Sequence, residues 1–346
     1  MAGVTYKCQS CGAYLAFDPE SQLWKCPFCD SAFAEAELSE KDTASAQQAM
    51  PVSGEGGQVM YRCPSCGSEI VTDETTVATQ CYYCHSPVVL QGKITDDLRP
   101  DTVLPFTISM DKAVETFLSW VKTKKYVPKA FFSPAQVESM TGVYYPHFVT
   151  ECELDGAVDG EARDVNVVNS ANYITTHTRH YHVRREGRMT FRDILRPALS
   201  KANRKLSEGI HPFPLEDEKP FSDAYLSGFV AERRDIEVEA AQAEVQQEVA
   251  GYVEPLLSET LHYDAHSVTP SAQVRSMKSR YVLLPTWILT YPNKNDPKDP
   301  YYYALNGCTG EVCGKLPVDK NKLRRNALIV FAVVFVAACL ASYFLF

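Results

Sequence analysis

Cys8-Gln9-Ser10-Cys11 with Cys26-Pro27-Phe28-Cys29, and then Cys63-Pro64-Ser65-Cys66 with Cys81-Tyr82-Tyr83-Cys84, decide how this chain is to be read. Each set is Cys-x-x-Cys, fourteen residues, Cys-x-x-Cys, and the second lies 55 residues after the first at all four positions. Thiolates at this spacing ride on two short knuckles at the ends of a small β-hairpin, which converge four sulfurs on a tetrahedral Zn²⁺. The register extends past the cysteines, because Leu15 and Ile70, Asp18 and Asp73, Phe28 and Tyr83, and Ser31 and Ser86 are also 55 apart. The pattern is an internal duplication. It predicts two zinc ions per chain, one on Cys8, Cys11, Cys26 and Cys29 and one on Cys63, Cys66, Cys81 and Cys84.

Four cysteines fill a tetrahedral shell, so both sites read as closed structural centres with no position for a substrate water. His85 stands beside the last knuckle, but the ligand set is complete without it. The first knuckle of each ribbon ends in Gly12 or Gly67, which tolerates the left-handed backbone that turns amides toward sulfur. Asp30 and His85 hold the equivalent place in the second knuckles, and both residue types are enriched at positive φ. Between knuckles, Asp18-Pro19-Glu20-Ser21 and the Asp73-Glu74 region mark turns. Modules this small have little core, so metal binding supplies most of their folding free energy.

The remaining composition frames those modules. The 346 residues are 45% hydrophobic and 22% charged with a net charge of −9, enough for two metal modules and one domain with its own core. Met1 to Ser10 has neither the basic start nor the apolar run of a secretory signal, so the thiolate sites predict a reducing cytosol. Ala327 to Phe346 is an apolar run of twenty residues interrupted only by Ser342 and Tyr343. A helix of that length spans about 30 Å, the hydrocarbon thickness of a bilayer. Lys315, Lys320, Lys322, Arg324 and Arg325 precede it. By the positive-inside bias they stay cytoplasmic, which predicts a single-pass C-terminal anchor in the inner membrane with all preceding domains in the cytoplasm.

The expected architecture is multidomain: two small β zinc ribbons, an α+β globular domain and one C-terminal transmembrane helix. Its divisions are ribbon 1 at 1–33, a flexible linker at 34–58, ribbon 2 at 59–91, the globular domain at 92–318, a basic juxtamembrane segment at 319–326 and the span at 327–346. The linker ends in Gly54-Glu55-Gly56-Gly57 after a polar stretch, so the ribbons are expected to move independently. Within the globular domain, Asp111 to Tyr126 has helical apolar spacing with Ser109 placed to cap it. Glu232 to Leu261 is a second helix whose stripe is Val245, Val249, Tyr252, Val253, Leu256 and Leu257, divided at Pro255. Arg280 to Tyr291 and Tyr301 to Leu305 are strands, and Asn306-Gly307 signals a hairpin toward Val312. Cys308 and Cys313 flank that turn and are expected to be free thiols.

Three readings of function meet these residues. Residues 1 to 90 hold four Lys and Arg against eleven Asp and Glu, a net −7 before metal, which repels a phosphate backbone. Protein binding fits better than nucleic acid. The alternative, a membrane-bound nucleic-acid-binding or transcription-related regulator, draws on Arg179, Arg184, Arg185, Arg188 and Arg192. For an enzyme there is no Gly-x-x-x-x-Gly-Lys-Ser/Thr loop, no Gly-x-Ser-x-Gly elbow and no His-Glu-x-x-His pair. His177, His180 and His182 fall on a predicted strand over Tyr173 to Arg184, where His177 faces away from the other two. They read as partly exposed strand histidines, and no enzymatic activity is expected.

Several phrases outside the ribbons carry a resemblance: Leu104-Pro105-Phe106, Gly142-Val143-Tyr144-Tyr145-Pro146, Tyr225-Leu226-Ser227-Gly228-Phe229, Tyr281-Val282-Leu283-Leu284-Pro285-Thr286-Trp287 and Leu305-Asn306-Gly307-Cys308-Thr309-Gly310. With the ribbons, they make the chain similar to bacterial transcription-factor-IIB-type zinc-ribbon proteins with a membrane tail, a group that includes YdjG-type components of phage-shock envelope-stress modules. The resemblance implies a non-enzymatic membrane adaptor that recruits SPFH/flotillin-like and phage-shock-protein-A-like partners to the inner face of the membrane. The duplicated ribbon departs from the single ribbon of many such proteins.

Overall fold

Each cysteine set builds a small β module in the computed structural model, which describes residues 3–38, 43–45, 58–90, 96–170, 173–202, 204–293, 296 and 300–345. Ribbon 1 comprises β1 (Gly3–Tyr6) and a three-stranded sheet of β2 (Ala16–Asp18), β3 (Leu23–Lys25) and β4 (Ala32–Phe33). Within the expected linker, Glu35–Glu37 is a single 3₁₀ turn and β5 (Thr43–Ser45) pairs antiparallel with β1, while Gly54 to Gly57 lie outside the described residues. Ribbon 2 follows as β6 (Gln58–Arg62), β7 (Glu69–Asp73), β8 (Thr76–Gln80) and β9 (Pro87–Leu90).

The globular part opens with β10 (Thr102–Val103), helix α1 (Met110–Lys122) and the single turn α2 (Pro134–Val137). Helix α1 ends at Lys122, short of the expected Tyr126, and buries Ala113, Phe117 and Val121 of its apolar spacing while Val114 and Leu118 are half-buried. Ser109 is its N-cap residue by backbone position, yet its hydroxyl donates to Glu20 Oε1 at 2.8 Å instead of capping. The hydroxyl is turned toward a carboxylate of the ribbon 1 turn, and hydrogen bonds to ionised groups are the stronger ones.

Two long strands come next, β11 (Thr141–Asn169) and β12 (Ile174–Pro197), followed by α3 (Arg204–Gly209), β13 (Lys219–Pro220) and β14 (Val230–Glu232). The second predicted helix is two pieces, α4 (Val238–Gly251) and α5 (Val253–Ser258). The break falls at Tyr252, and Pro255 sits in the first turn of α5, where its missing N–H leaves no bond unmade. Val245, Val249, Val253 and Leu257 form the buried stripe, whereas Tyr252 and Leu256 are exposed. Strand β15 (Ala265–Tyr291) extends well beyond the predicted 280–291, and β16 (Tyr301–Asn306), β17 (Val312–Lys315) and α6 (Lys320–Leu345) complete the order. In the last hairpin the residue at positive φ is Gly310, not Gly307, because Asn306 N–H bonds Glu311 O and Gly310 N–H closes on Asn306 O. Gly307 is required for another reason: a Cβ there would lie 2.6 Å from the Phe106 ring.

Strands β11, β12 and β15 run together as a three-stranded arm, paired from Thr141↔Ile288 to Arg163↔Ala265 on one side and from His147↔Pro197 out to Asn169↔Ile174 on the other, with one register shift in each ladder, at Glu153/Leu154 and Thr150/Cys152. At about 3.3 Å per residue, β11 reaches roughly 95 Å. Helices α4 and α5 cover one face of the arm over Cys152, Leu154 and Val158. Gly156 and Gly187 pair across the strands there, and a Cβ on Gly156 would lie 2.9 Å from Val253, so its glycine lets α5 approach the backbone.

One twelve-stranded sheet runs through globular part and ribbons alike, in the order β13-β10-β15-β11-β14-β8-β9-β1-β5, with β12 beside β11 and β16 then β17 beside β15. This overturns the expectation that the ribbons move independently. Strand β8 of ribbon 2 pairs with β14, and β9 pairs with β1 of ribbon 1 through Gly3↔Leu90 and Val4↔Val89. The physical reason is that β8 and β9 carry apolar residues on both faces, Val77, Ala78, Val88 and Val89 all being buried, as strands do when covered on both sides.

Candidate metal centres

The two cysteine sets close into compact clusters, the sulfurs of each lying within 4.8 Å of one another. In ribbon 1, Cys8 Sγ is 3.6 Å from Cys29 Sγ and Cys11 Sγ is 3.5 Å from Cys26 Sγ. Ribbon 2 gives 3.6 Å for Cys63 to Cys84 and 3.7 Å for Cys66 to Cys81. A tetrahedron with zinc–sulfur bonds of about 2.3 Å has edges of about 3.8 Å, whereas a disulfide needs about 2.05 Å. The donor set and its spacing therefore fit zinc. Among the described residues no other cluster of this kind forms, and His85 belongs to neither.

All four knuckles use one backbone device. Cys8 N–H bonds Ala13 O, Cys26 N–H bonds Ser31 O, Cys63 N–H bonds Ser68 O and Cys81 N–H bonds Ser86 O, at 2.6 to 3.0 Å. The residue four places after each of these cysteines closes the turn by donating back to the cysteine carbonyl. Those residues are Gly12, Asp30, Gly67 and His85, with φ of 76°, 57°, 77° and 56°, which agrees with the reading of the sequence. Ser31, Ser68 and Ser86 place their Oγ 3.3 Å from the sulfurs of Cys29, Cys66 and Cys84. The hydroxyl and amide of Ser31 draw the Cys29 thiol down to about 6, and those of Ser68 do the same for Cys66. Burial pushes Cys63 the other way, to about 12. Without a cation four adjacent sulfurs resist full ionisation; a bound divalent ion removes that resistance and is held by thiolates.

The duplication has a structural meaning at three of the four matched pairs, whereas Asp18 pairs with Lys25 inside ribbon 1 and Asp73 with Lys201 of the globular part. Leu15 and Ile70 are the buried residues under the two clusters, and Ser31 and Ser86 are the carbonyl and hydroxyl partners just described. Phe28 and Tyr83 stand at the knuckle tips, 69% and 72% exposed, beside Tyr82 at 69%. Their exposure was not read from sequence, although the tight Cys-x-x-Cys turn carries the signal: residues between two ligands point away from the metal.

The phrases outside the ribbons meet at one place. Phe106 stacks on Phe229 with centroids 4.2 Å apart, and Tyr144 and Trp287 pack edge-on or tilted against them. Ribbon 1 sits on this cluster through Phe17 and Trp24, which pack on Tyr225. Phe17 N–H bonds Ser227 O, Ser227 Oγ donates to Leu15 O, and Gly228 adopts φ 99° with Ala16 against it. Ribbon 2 is fastened by Thr75 and Thr76 to the Glu232 carboxylate and by Asp73 to Lys201.

The remaining sequence candidates separate. His177, His180 and His182 are exposed on β12, and His182 pairs with Asp159 at 3.1 Å. Cys308 and Cys313 are free thiols. Helix α6 contains a stretch, Lys320–Leu340, long and apolar enough to cross a membrane, with none of its apolar window buried against the chain. That is compatible with a single-pass anchor.

The chain is similar to the uncharacterized protein YdjG of Bacillus subtilis (strain 168), 28% identical over 322 residues and covering 92% of each chain. No family model matches the chain. No solved structure matches it either.

Proposed function

We propose that this protein is a membrane-anchored adaptor that presents its metal-held ribbons to cytosolic protein partners at the inner face of the membrane. The observation that carries this reading is the exposure of Phe28, Tyr82 and Tyr83 at the knuckle tips of the two acidic ribbons. Aromatic side chains fixed on a rigid turn lose little entropy on docking and are typical protein-binding anchors. Both metal sites have complete four-sulfur shells, which suits scaffolding and not metal-centred chemistry. Helix α6 and its basic flank then hold the assembly at the bilayer. A place in an envelope-stress response, with SPFH/flotillin-like and phage-shock-protein-A-like partners, is the finer form of the proposal.

The nucleic-acid alternative loses support from the arm. Arg184, Arg188 and Arg192 on β12 are paired with Asp159 and Glu186, Asp155 and Glu151. Cations already neutralised by carboxylates release few counterions on meeting phosphate.

The experiment is a binding titration of the purified full chain against a purified flotillin-like and a phage-shock-protein-A-like protein, alongside fluorescence anisotropy with labelled DNA and RNA. The adaptor reading expects protein binding that is lost in Phe28→Ser and in the double variant Tyr82→Ser, Tyr83→Ser while zinc content stays unchanged. Submicromolar, salt-sensitive nucleic-acid binding that disappears in Arg184→Glu, Arg185→Glu overturns it.

A further inference from the structure

Away from the ribbons, a cavity of 160 Å³ lies between α3 and the sheet face formed by β11, β15 and β16. Its walls are largely apolar, with Ala202 and Leu206 on one side and Ile288 and Tyr302 on the other. At one end stand His147 and Ser207, both buried, with His147 Nε2 2.5 Å from Ser207 Oγ. His147 is a lone histidine in the otherwise apolar run from Val143 to Val149, which is the only mark it leaves in the sequence.

The hydrogen bonding at that end has one consistent assignment. His147 Nδ1 is 3.1 Å from the Tyr145 carbonyl, which can only accept, so Nδ1 carries the proton. Burial pushes the His147 pKa down to about 4, and the ring is therefore neutral at physiological pH. Nε2 must then accept the Ser207 O–H. At this end of the cavity Ser207 Oγ keeps free acceptor capacity, while Thr286 and Thr290 line the wall contributed by β15. A serine and histidine so joined are half of a hydrolytic site, but a carbonyl and not a carboxylate stands behind Nδ1, and the depressed pKa opposes forming the imidazolium that such chemistry requires. The pair is built to bind.

The cavity chemistry also sets the charge and size of an occupant. Lys201, the cation at its rim, is held 3.0 Å from Asp73 and 3.0 Å from Glu232, so an anion finds no uncommitted counter-charge there. An apolar cavity of about 150 Å³ holds a benzene-sized molecule. We propose that the space between α3 and the sheet is a binding site for a small neutral ligand, a single ring or a short branched chain, bearing one O–H or N–H donor that Ser207 Oγ accepts. This inference stands apart from the adaptor reading, since no knuckle residue takes part.

The test uses the full chain in lipid nanodiscs and three probes followed by ¹⁹F NMR: 4-fluorophenol, fluorobenzene and 4-fluorobenzoate. Partition into lipid is common to every variant, so the comparison of variants isolates the cavity. The expected result is a protein-dependent bound signal for 4-fluorophenol whose affinity falls about ten-fold in Ser207→Ala, the loss of roughly one buried hydrogen bond. Fluorobenzene affinity should stay within about three-fold between the same two proteins, and Ile288→Phe should weaken both probes by filling the space. As a measurement independent of substitution, 4-fluorophenol should move the ¹⁵N ring resonances of His147 in the unmodified chain and leave exposed His180 and His182 in place. Absence of any protein-dependent signal, equal affinity for 4-fluorophenol in Ser207→Ala, or tighter binding of 4-fluorobenzoate each overturns the proposal.

Discussion

Trp24 Nε1 of the first ribbon donates to the carbonyl of Ala224, 200 positions further along the chain, at 2.8 Å and out of contact with water. This bond joins the hairpin between two pairs of metal ligands to the aromatic cluster of the globular part, with the Trp24 ring 5.2 Å from that of Tyr225. Ribbon 1 is therefore part of the main core, and its metal and that core should melt together. Trp24→Ala should lower global stability by about 3–5 kcal/mol, the usual cost of removing a fully buried large aromatic. Urea denaturation followed by circular dichroism measures it. A loss below 1 kcal/mol would show that the ribbon folds apart from the body.

Metal content follows from the sulfur geometry. Purified protein should carry two zinc ions per chain, because both four-cysteine clusters have edges close to those of a zinc–thiolate tetrahedron. Cys26→Ser and Cys81→Ser should each remove one. Acidification should release both, since protons compete with the metal for thiolate. Elemental analysis giving one ion, or iron, contradicts the assignment.

His147 makes a pH prediction. Its folded pKa of about 4 lies below the ordinary 6.5, so between those values the unfolded chain binds more protons than the folded one. Stability contributed by the neutral ring is complete above pH 6.5 and is lost as pH falls toward 4, by about 3 kcal/mol in all. His147→Gln keeps a donor and an acceptor but does not titrate. The gap in denaturation free energy between the two proteins should therefore change in favour of the variant between pH 7 and pH 5, and a constant gap would refute the linkage. Metal loss is common to both and cancels.

Helix α6 offers a topological test. Asp319 N–H bonds Tyr126 O at the foot of the helix, while the exposed large apolar residues of α6, including Leu328, Phe331 and Phe335, all follow Lys322. A stop after Lys322 keeps the foot and deletes the apolar face. The truncated protein should move from the membrane to the soluble fraction with both zinc ions retained, and a protein that stays with the membrane pellet would argue against the anchor.

Local chemistry written in the sequence determined the two four-cysteine clusters, the four knuckles with their residues at positive φ, the helix of Phe117 and the long apolar tail. Each of these depends on neighbours a few positions apart: a thiolate pair needs only a tight turn between its members, and a helix stripe only its period. The tertiary structure decided the rest. That Ser109 reaches Glu20 instead of its own helix, that Gly307 makes room for Phe106, that β8 finds β14, and that His147 meets Ser207 in a cavity all depend on partners tens to hundreds of positions away. An apolar strand such as Val77 to Ala78 announces that it will be covered. Which surface covers it is settled only when the whole sheet closes its edges, because any unpaired backbone edge and any apolar face would satisfy the same local pattern.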